Sequence, residues 1–260
     1  MTAAERWASE LAAWAIPDHI MAAAPESPWR FTPSLFTPPA DPGPDTPSRV
    51  HAREALPGGG VVLDVGCGGG AAGLALVPPA GRVVGFDQSA ELLEIFLTWA
   101  ARLGVEHQAI EGSWPTDAAT APGADVVVSH HVVYNIPDLA AFAAELTAHA
   151  RRRVVVEMTA DHPRAGVNHL WRHFWDVDRP TGPTADDAVA ALVEAGMEPQ
   201  VARAPRRSRV RDRAERVASV RRYLCLTADR DPEIDELLGD DVGPFGEVVT
   251  LWWDGAATGA

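Results

Sequence analysis

Short stretches with the composition of β-strands recur along the chain, and amphipathic stretches separate them. The strand-like stretches lie near 61–65, 82–86, 106–110, 124–129 and 153–158. Apolar residues at helical spacing occur near 71–77, 89–103, 138–150 and 184–195. This alternation predicts an α/β fold with a doubly wound, mostly parallel sheet.

The N-terminal part departs from this alternation. Residues 1–56 predict helices at 2–15, 17–24 and 48–56 around a proline-rich segment at 25–47. That segment contains Trp29, Phe31 and Phe36, which are unusual in a disordered linker. We therefore expect residues 1–56 to form N-terminal helices and a proline-rich lid that packs on the rest of the protein.

The C-terminal part adds further elements after residue 196. They are a strand near 199–204, helices at 212–226 and 232–238, and a last strand at 248–253. No segment of the chain repeats another. Residues 57–260 are accordingly predicted to form one α/β domain with an arginine-rich helical insertion near 205–240.

Composition excludes several classes of protein. The formal net charge is −14, so we expect no broad contact with nucleic acid or with anionic membranes. Two cysteines are too few for a disulfide framework, and the first residues lack the apolar core of a signal peptide, so we expect a cytoplasmic protein. All 22 basic residues are arginine, which excludes mechanisms that need a catalytic lysine.

The segment 61–70 carries the strongest chemical signal. An apolar strand runs through Asp64 into a glycine-dense turn, where backbone N–H groups can approach a polar or anionic ligand closely. The predicted strand at 82–86 is followed by Asp87, whose carboxylate can accept hydrogen bonds from both hydroxyls of a ribose. Together these motifs predict a site for a nucleoside-containing cofactor.

These motifs and the alternating tail resemble the class I S-adenosylmethionine-dependent methyltransferases over roughly residues 57–254. The pattern Asp64-x-Gly66-x-Gly68-x-Gly70 is similar to the first motif of that family, and Asp87-Gln88-Ser89 is similar to the end of its second strand. The resemblance implies a seven-stranded sheet in the order 3-2-1-4-5-7-6 with one antiparallel strand. It also implies S-adenosyl-L-methionine as the cofactor and S-adenosyl-L-homocysteine as the product.

The same resemblance implies roles for individual residues. The methionine part of the cofactor is expected over Gly66, Cys67 and Gly68, and Asp64 is expected among the cofactor-binding residues as well. Asp87 is expected to hold the ribose, and Gln88 to lie beside the sugar or the adenine.

The chain departs from the family after the predicted third strand. Such enzymes often carry Gly-Asp there, and the carboxylate meets the adenine amino group. This chain instead has Gly112-Ser113-Trp114. We expect the Ser113 hydroxyl to replace that acid and the Trp114 ring to stack on adenine.

The glycine motif alone does not separate two kinds of cofactor. Gly66-x-Gly68-x-x-Ala71 also fits the fingerprint of dinucleotide-binding proteins, which would indicate hydride transfer. Asp64, two residues before the first glycine, favours the methyltransferase interpretation. The absence of lysine excludes dehydrogenases built on a tyrosine–lysine pair.

The tip of the predicted fourth strand, 129–135, is where acceptor chemistry is expected, because ligands lie beyond the carboxyl ends of the strands near the switch point of the sheet. A sulfonium methyl group is already electrophilic, so the enzyme mainly has to align the acceptor with it. A general base contributes further when the acceptor is a hydroxyl or another weakly acidic group. Three candidate catalytic residues lie here, His131 first, then His130 and Tyr134. Alternatively, the two histidines only pack or form structural hydrogen bonds.

Two other features of this tip bear on the ligands. Ser129 and His130 are expected under the cofactor, and Asn135 beside the acceptor. Aminomethyltransferases that act on nucleobases or glutamine resemble one another in an Asn/Asp-Pro-Pro-aromatic run at this point. Its absence argues against methylation of a base amino group.

Aromatic and histidine residues farther along suggest a cover over an acceptor pocket. The predicted acceptor contacts besides Asn135 are Trp29, His169, Trp171 and His173. His169 and His173 are four residues apart and could share a helix face as metal ligands, but the pattern lacks the glutamate of a zincin, so no metal is predicted. The aromatic residues could equally belong to the core.

Arginines are concentrated at 203–222. They could recognise a carboxylate or phosphate on the acceptor, or contact nucleic acid. We favour a solvated helix whose arginines pair with the acidic remainder of the chain.

The sequence therefore predicts a methyltransferase that acts on a small molecule, as a monomer or homodimer, without a nucleic-acid or membrane partner. The alternatives are a non-catalytic module that binds the cofactor or dimerises, and an RNA or DNA methyltransferase. The interpretation requires that Asp87 face the crevice at the glycine turn and that the chain's own side chains not fill that crevice.

Overall fold

The computed structural model describes residues 1–29, 36–41, 43–205, 212–239 and 246–256. Seven strands form one sheet in the order β3-β2-β1-β4-β5-β7-β6. The strands are β1 (Val61–Val65), β2 (Arg82–Asp87), β3 (Glu106–Glu111), β4 (Ala124–His130), β5 (Ala150–Thr159), β6 (Gln200–Pro205) and β7 (Glu247–Asp254). Strands β1 to β5 pair in parallel, and β7 is antiparallel to both of its neighbours. The predicted fold class and strand order are confirmed.

The sheet separates two apolar cores because successive side chains of a strand point to opposite faces. In β1, Leu63 belongs to one core and its neighbour Val62 to the other, and both are fully buried. Strands buried on both faces read as continuous apolar runs, which explains why β1 and β4 are dominated by valine. Strands β1 and β4 pair in parallel at the centre of the sheet, where its two halves meet. Their carboxyl ends are therefore neighbours at the switch point.

The helices in chain order are α1 (Ala3–Ala12), α2 (Asp18–Ala23), α3 (Pro47–Ala55), α4 (Ala90–Leu103), α5 (Leu139–His149), α6 (Asn168–Trp175), α7 (Ala185–Glu194), α8 (Arg213–Tyr223) and α9 (Asp231–Leu238). Side-chain caps fix several starts: the Ser89 hydroxyl accepts from the Leu92 N–H at the start of α4, directly after β2. The helix α6 is not among the predicted helices.

One predicted helix is wrong. Residues 71–77 form turns and a single 3₁₀ turn at Leu74–Leu76 rather than an α-helix. Glycine carries a high conformational entropy cost in a helix, and Gly73 packs so closely on Asp64 that an added Cβ would lie 3.0 Å from it. Two prolines at 78–79 then end the segment before a helix can propagate.

Four helices from three parts of the chain share a third apolar core, and we call them the cap: α2, α6, α8 and α9. Its buried residues include Ile20, Trp171, Tyr223 and Ile234. The arginine-rich helix α8 therefore has a buried face, which Val217 and Tyr223 provide. Helix α1 packs instead on α7, beside the sheet.

Within the described residues, no helix is long and apolar enough to cross a membrane. In the same part of the chain, no three histidine, cysteine or acidic side chains come together as a metal site would require. His169 and His173 lie on α6 as the spacing suggests, but His173 is occupied by an ion pair with Glu233 at 2.7 Å.

Candidate active site

The glycine turn after β1, residues 66–70, is here called the glycine loop. Gly66, Gly68 and Gly70 have φ values of +68°, +52° and +91°, a region that side-chain-bearing residues rarely adopt. The N–H groups of Gly66 and Cys67 both donate to the carbonyl of Phe86 at the end of β2, at 2.8 and 3.1 Å. The loop is thereby fixed against the neighbouring strand.

Asp64 supports this loop from inside the sheet. Its Oδ2 accepts the N–H of Gly73 at 2.7 Å, while Oδ1 is buried and has no hydrogen-bond partner among the described residues. Burial raises the pKa of Asp64 to about 7; the Gly73 hydrogen bond opposes this rise and the charge on Asp87 adds to it. The carboxyl group can therefore change its protonation state near neutral pH.

Asp87 connects the end of β2 to the glycine loop. Its Oδ2 accepts the N–H of Gly68 at 2.8 Å, and its Oδ1 accepts the N–H of Ser89 at 2.9 Å. The carboxylate thus faces the loop, as the cofactor interpretation requires. Each carboxylate oxygen can accept more than one hydrogen bond, so both retain capacity for ligand hydroxyl groups.

The crevice at the loop is partly covered by the protein itself. An added Cβ on Gly68 would lie 3.0 Å from the ring of Phe36, and one on Gly69 would lie 2.2 Å from the Phe36 carbonyl oxygen. On the other side, the Val132 side chain approaches Gly66. A cofactor along the loop therefore requires the segment that carries Phe36 to shift, so the requirement for an unfilled crevice is met only in part.

The carboxyl end of β4 places two unsatisfied polar atoms beside β1. The Ser129 hydroxyl and the His130 Nε2 are buried and have no hydrogen-bond partner among the described residues. Burial lowers the pKa of His130, with His131 and Arg49 acting in the same direction and Glu157 opposing. The imidazole and the hydroxyl fit a polar ligand such as the predicted cofactor at this switch point.

His131 lies at the tip of β4 against an acid on the next strand. Its Nε2 is 3.3 Å from Oε1 of Glu157, and its backbone N–H donates to the Glu157 carbonyl at 2.7 Å. The His131 side chain is 47% exposed, and its φ of +60° is strained for a residue with a side chain. An exposed imidazole backed by a buried carboxylate is an arrangement suited to general base catalysis.

Glu157 receives a second contact from the N-terminal part of the chain. Its Oε2 accepts the hydroxyl of Ser48 in α3 at 2.5 Å. Burial raises the pKa of Glu157, but His130, His131 and the Ser48 hydroxyl outweigh this and lower it to about 2. Glu157 is therefore ionised at neutral pH. The sequence analysis did not single out Glu157 or Ser48, because no local pattern joins residues so far apart in the chain.

The residues after β3 are arranged differently from the expectation. Trp114 is buried against Phe86, and its indole N–H donates to the Phe142 carbonyl at 3.4 Å, so its ring is in the core and is not available to stack on adenine. Gly112 and Ser113 form the turn itself, and the Ser113 N–H donates to the Asp117 carboxylate at 2.8 Å. Asp117, which the sequence analysis overlooked, brings an acid to this turn.

Three other predicted contacts have distinct surroundings. Gln88 is exposed beside Asp87. Tyr134 is buried between Trp7 and His162, and its hydroxyl donates to the Thr159 carbonyl at 2.8 Å, which is a structural position. Asn135 is exposed, and its side-chain amide donates to the Val132 carbonyl at 3.2 Å.

The predicted acceptor residues separate into two groups. His169 and His173 are exposed on the outer side of α6. Trp29 and Trp171, by contrast, lie around one pair of arginines in the cap, Trp29 partly exposed and Trp171 fully buried. Phe31 falls outside the described residues.

The described arginines of 203–222 include several that are paired with acids. Arg203 pairs with Asp186, Arg213 with Asp235, and Arg221 contacts both Glu26 and Asp231. These ion pairs fit the favoured interpretation of charge compensation. The arginines at 206, 207, 209 and 211 fall outside the described residues.

Comparison with known proteins agrees with this geometry. A family model described as a methyltransferase domain matches residues 62–153, from β1 into β5. The release factor glutamine methyltransferase of Rhodospirillum rubrum is 36% identical over 124 residues, which are 45% of this chain and 38% of that protein. The chain thus spans less than half the length of this curated relative.

Solved structures support the fold. The YcgJ protein from Bacillus subtilis has a TM-score of 0.53 at 18% identity, over 80% of this chain and 97% of that one. Magnesium protoporphyrin IX methyltransferase from Synechocystis, solved with bound SAH, has a TM-score of 0.51 at 16% identity, over 80% of this chain and 78% of that one. Residues 62–153 thus match a methyltransferase domain, and the strand order is the one that the resemblance to class I S-adenosylmethionine-dependent methyltransferases implied.

Proposed function

We propose that this protein transfers a methyl group from S-adenosyl-L-methionine to a small-molecule acceptor, with His131 as the general base. The observation that carries the proposal is the His131–Glu157 pair at the carboxyl ends of β4 and β5, on the same edge of the sheet as the glycine loop and Asp87. The proposed binding elements and the proposed base thus lie at the edge of the sheet where doubly wound proteins bind their ligands, which supports the proposal.

The protein's part in this reaction follows from these residues. Asp87 would hold the ribose hydroxyls, and the glycine loop would lie along the methionine part. When bound, S-adenosylmethionine supplies an electrophilic methyl group on sulfur. The exposed His131 imidazole would accept the proton that the acceptor loses. The ionised Glu157 would orient that ring and stabilise its protonated form, and Ser48 would hold Glu157 in place.

The acceptor class is inferred from the tip of β4 and from charge. The curated relative is by its name a glutamine methyltransferase, yet this chain has Ser-His-His in place of an Asn-Pro-Pro-aromatic run. One structure of the same fold acts, by its name, on magnesium protoporphyrin IX, which is a small molecule. The net charge of −14 disfavours nucleic acid as the acceptor.

Cofactor binding is tested by calorimetric titration of S-adenosylhomocysteine into the wild type, Asp87→Asn and Asp125→Asn. Asp125 is the matched control, since it also accepts a backbone N–H, that of Val61, but at the opposite end of the sheet. We expect Asp87→Asn to weaken binding at least tenfold, about the value of one hydrogen bond to a charged group, and Asp125→Asn to leave it unchanged. Equal binding by Asp87→Asn contradicts the proposal.

The base is tested with methyl-labelled S-adenosylmethionine and a small-molecule extract, using His131→Gln and Glu157→Gln. We expect both variants to bind S-adenosylhomocysteine like the wild type and to transfer label at least about tenfold more slowly. Wild-type binding without transfer to any fraction would indicate a non-catalytic module. Salt-dependent retention on RNA or DNA would indicate a nucleic-acid acceptor.

A further inference from the structure

An arginine beside the cap has aromatic rather than acidic neighbours in the described part of the chain. Arg164 follows β5, and its guanidinium carbon lies 4.3 Å from the ring centre of Trp29 and 4.5 Å from that of Tyr223. No aspartate or glutamate pairs with it anywhere in the described part of the chain. Burial lowers the pKa of this guanidinium, Tyr223 opposes the change, and the charge on Arg179 adds to it.

A second arginine increases the positive charge of this region. Arg179 lies 4.7 Å from the ring centre of Trp171, and its guanidinium donates to the carbonyls of Trp14 and Ala15 in the N-terminal part. Both arginines also act on His162: burial lowers the pKa of His162 to about 3, and the charges of Arg164 and Arg179 contribute. His162 is therefore neutral and adds no third positive charge to this region.

Unsatisfied donors accompany these charges. The Tyr223 hydroxyl is buried beside the Arg164 guanidinium, whose pKa it raises, and its O–H has no acceptor among the described residues. The Trp171 indole N–H in the same cluster is also buried without a partner among the residues described. Buried donors without acceptors destabilise a protein, so their presence beside a cation that lacks an acidic partner indicates a ligand that supplies the acceptors.

The surroundings of Arg164 define what that ligand can be. Two aromatic rings contact its guanidinium, so the N–H groups at its edge remain for recognition, and an oxyanion with two parallel oxygens matches them. Trp29 is 42% exposed, which leaves the site accessible from solvent on that side. The aromatic walls fit a flat or apolar body attached to the anion.

From this geometry we propose that the cap binds an oxyanionic ligand, a carboxylate or phosphate group on a small apolar molecule, between Arg164, Arg179 and the Tyr223 hydroxyl. Aromatic contacts lead from here to the tip of β4: the ring centre of His162 lies 3.7 Å from that of Trp14, on which it stacks, and 5.0 Å from that of Tyr134, which it meets edge to face. The site thus fits the anionic end of the methyl acceptor, an assignment that rests on the proposed function.

The test titrates benzoate and, separately, inorganic phosphate into the wild type, Arg164→Gln and Arg172→Gln, with binding followed by calorimetry. Arg172 is the matched control, because it lies on α6 of the same cap but is exposed and paired with Asp176 and Asp178. We expect at least one probe to bind the wild type, Arg164→Gln to weaken that probe at least tenfold, and Arg172→Gln to change it less than twofold. The probe that binds identifies carboxylate or phosphate as the recognised group.

Two further measurements keep the outcome decisive. Tyr223→Phe removes only the hydroxyl, so it tests the site with minimal change in packing, and we expect it to weaken the bound probe several-fold. S-adenosylhomocysteine is titrated into the same proteins, and we expect all variants to bind it equally. Absence of binding by both probes, or equal binding by Arg164→Gln, overturns the anion site. If the wild type does not bind S-adenosylhomocysteine, the proposed function is overturned instead.

Discussion

The buried carboxyl group of Asp64 leads to a prediction about the stability of the fold, which can be tested without a substrate. Its carboxyl group is fully buried beside the glycine loop, with a folded-state pKa of about 7 against an ordinary value of 3.8. Below pH 3.8 the group is protonated in both the folded and the unfolded chain. As pH rises, the unfolded chain releases this proton first, so the stability that the protonated group provides is lost up to about pH 7.

The magnitude follows from the difference between the two pKa values. About 3 pKa units at 1.36 kcal/mol each correspond to ~4 kcal/mol of unfolding free energy, which is lost as pH rises from below 3.8 to above 7. Of this, about 3 kcal/mol falls between pH 5 and pH 8. Asp64→Asn keeps the shape of the side chain and removes the titration. The stability of the variant relative to the wild type should therefore increase by about 3 kcal/mol from pH 5 to pH 8.

The assay is urea denaturation of both proteins at pH 5, 6, 7 and 8. Any loss from altered hydrogen bonding to Gly73 is the same at each pH and cancels in the comparison. Asp125→Asn is the control: burial raises the pKa of Asp125, but Arg151 and the Val61 N–H outweigh this and lower it, so it is ionised throughout the range. A constant difference between Asp64→Asn and the wild type from pH 5 to pH 8 would refute the reasoning.

Three further predictions concern the glycine loop and its neighbours. Gly66→Ala should destabilise the fold by roughly 1–3 kcal/mol, because the added Cβ would lie 2.4 Å from the Val132 side chain and the backbone at residue 66 has a positive φ. Gly123→Ala is the control, since the nearest atom to its added Cβ is 3.7 Å away. Thermal denaturation should show a lower melting temperature for Gly66→Ala only. Tyr134→Phe should lower the free energy of unfolding by about 1 kcal/mol, because the Tyr134 hydroxyl donates to the buried Thr159 carbonyl. Binding of S-adenosylhomocysteine and methyl transfer should stay unchanged. Loss of methyl transfer at unchanged stability would show that Tyr134 is catalytic. Phe36→Ala should strengthen S-adenosylhomocysteine binding, because the ligand would no longer have to displace the Phe36 ring from the glycine loop. If those ring contacts contribute ~1.4 kcal/mol, the gain is about tenfold. Weaker binding in calorimetry would show that Phe36 instead covers the bound ligand.

The elements that the sequence predicted correctly have local causes. The valine runs of β1 and β4 predict strands buried on both faces, and the serine that caps α4 marks its start. Glycines with positive φ are visible in a sequence because no other residue suits the turn, and the acids beside them, Asp64 and Asp87, follow at fixed spacing. Strand order came from the family resemblance that these motifs carry.

The errors of the sequence analysis arose where burial or distant partners decide. Trp114 has an aromatic ring that could stack on a ligand, but contact with Phe86 places it in the core. The segment 71–77 has helical composition, but Gly73 donates to the buried carboxylate of Asp64 and the segment stays in turns. Local propensity is weak against such tertiary contacts.

The sequence by itself determined the fold class, the glycine loop and the position of His131, because periodicity and turn chemistry act over a few neighbouring residues. Only the tertiary structure joined His131 to Glu157 and Glu157 to Ser48, and only it brought Trp29, Arg164 and Tyr223 together in the cap. Those groups come from segments far apart in the chain. Their pKa values and unsatisfied hydrogen bonds depend on burial and on neighbours that no local pattern encodes.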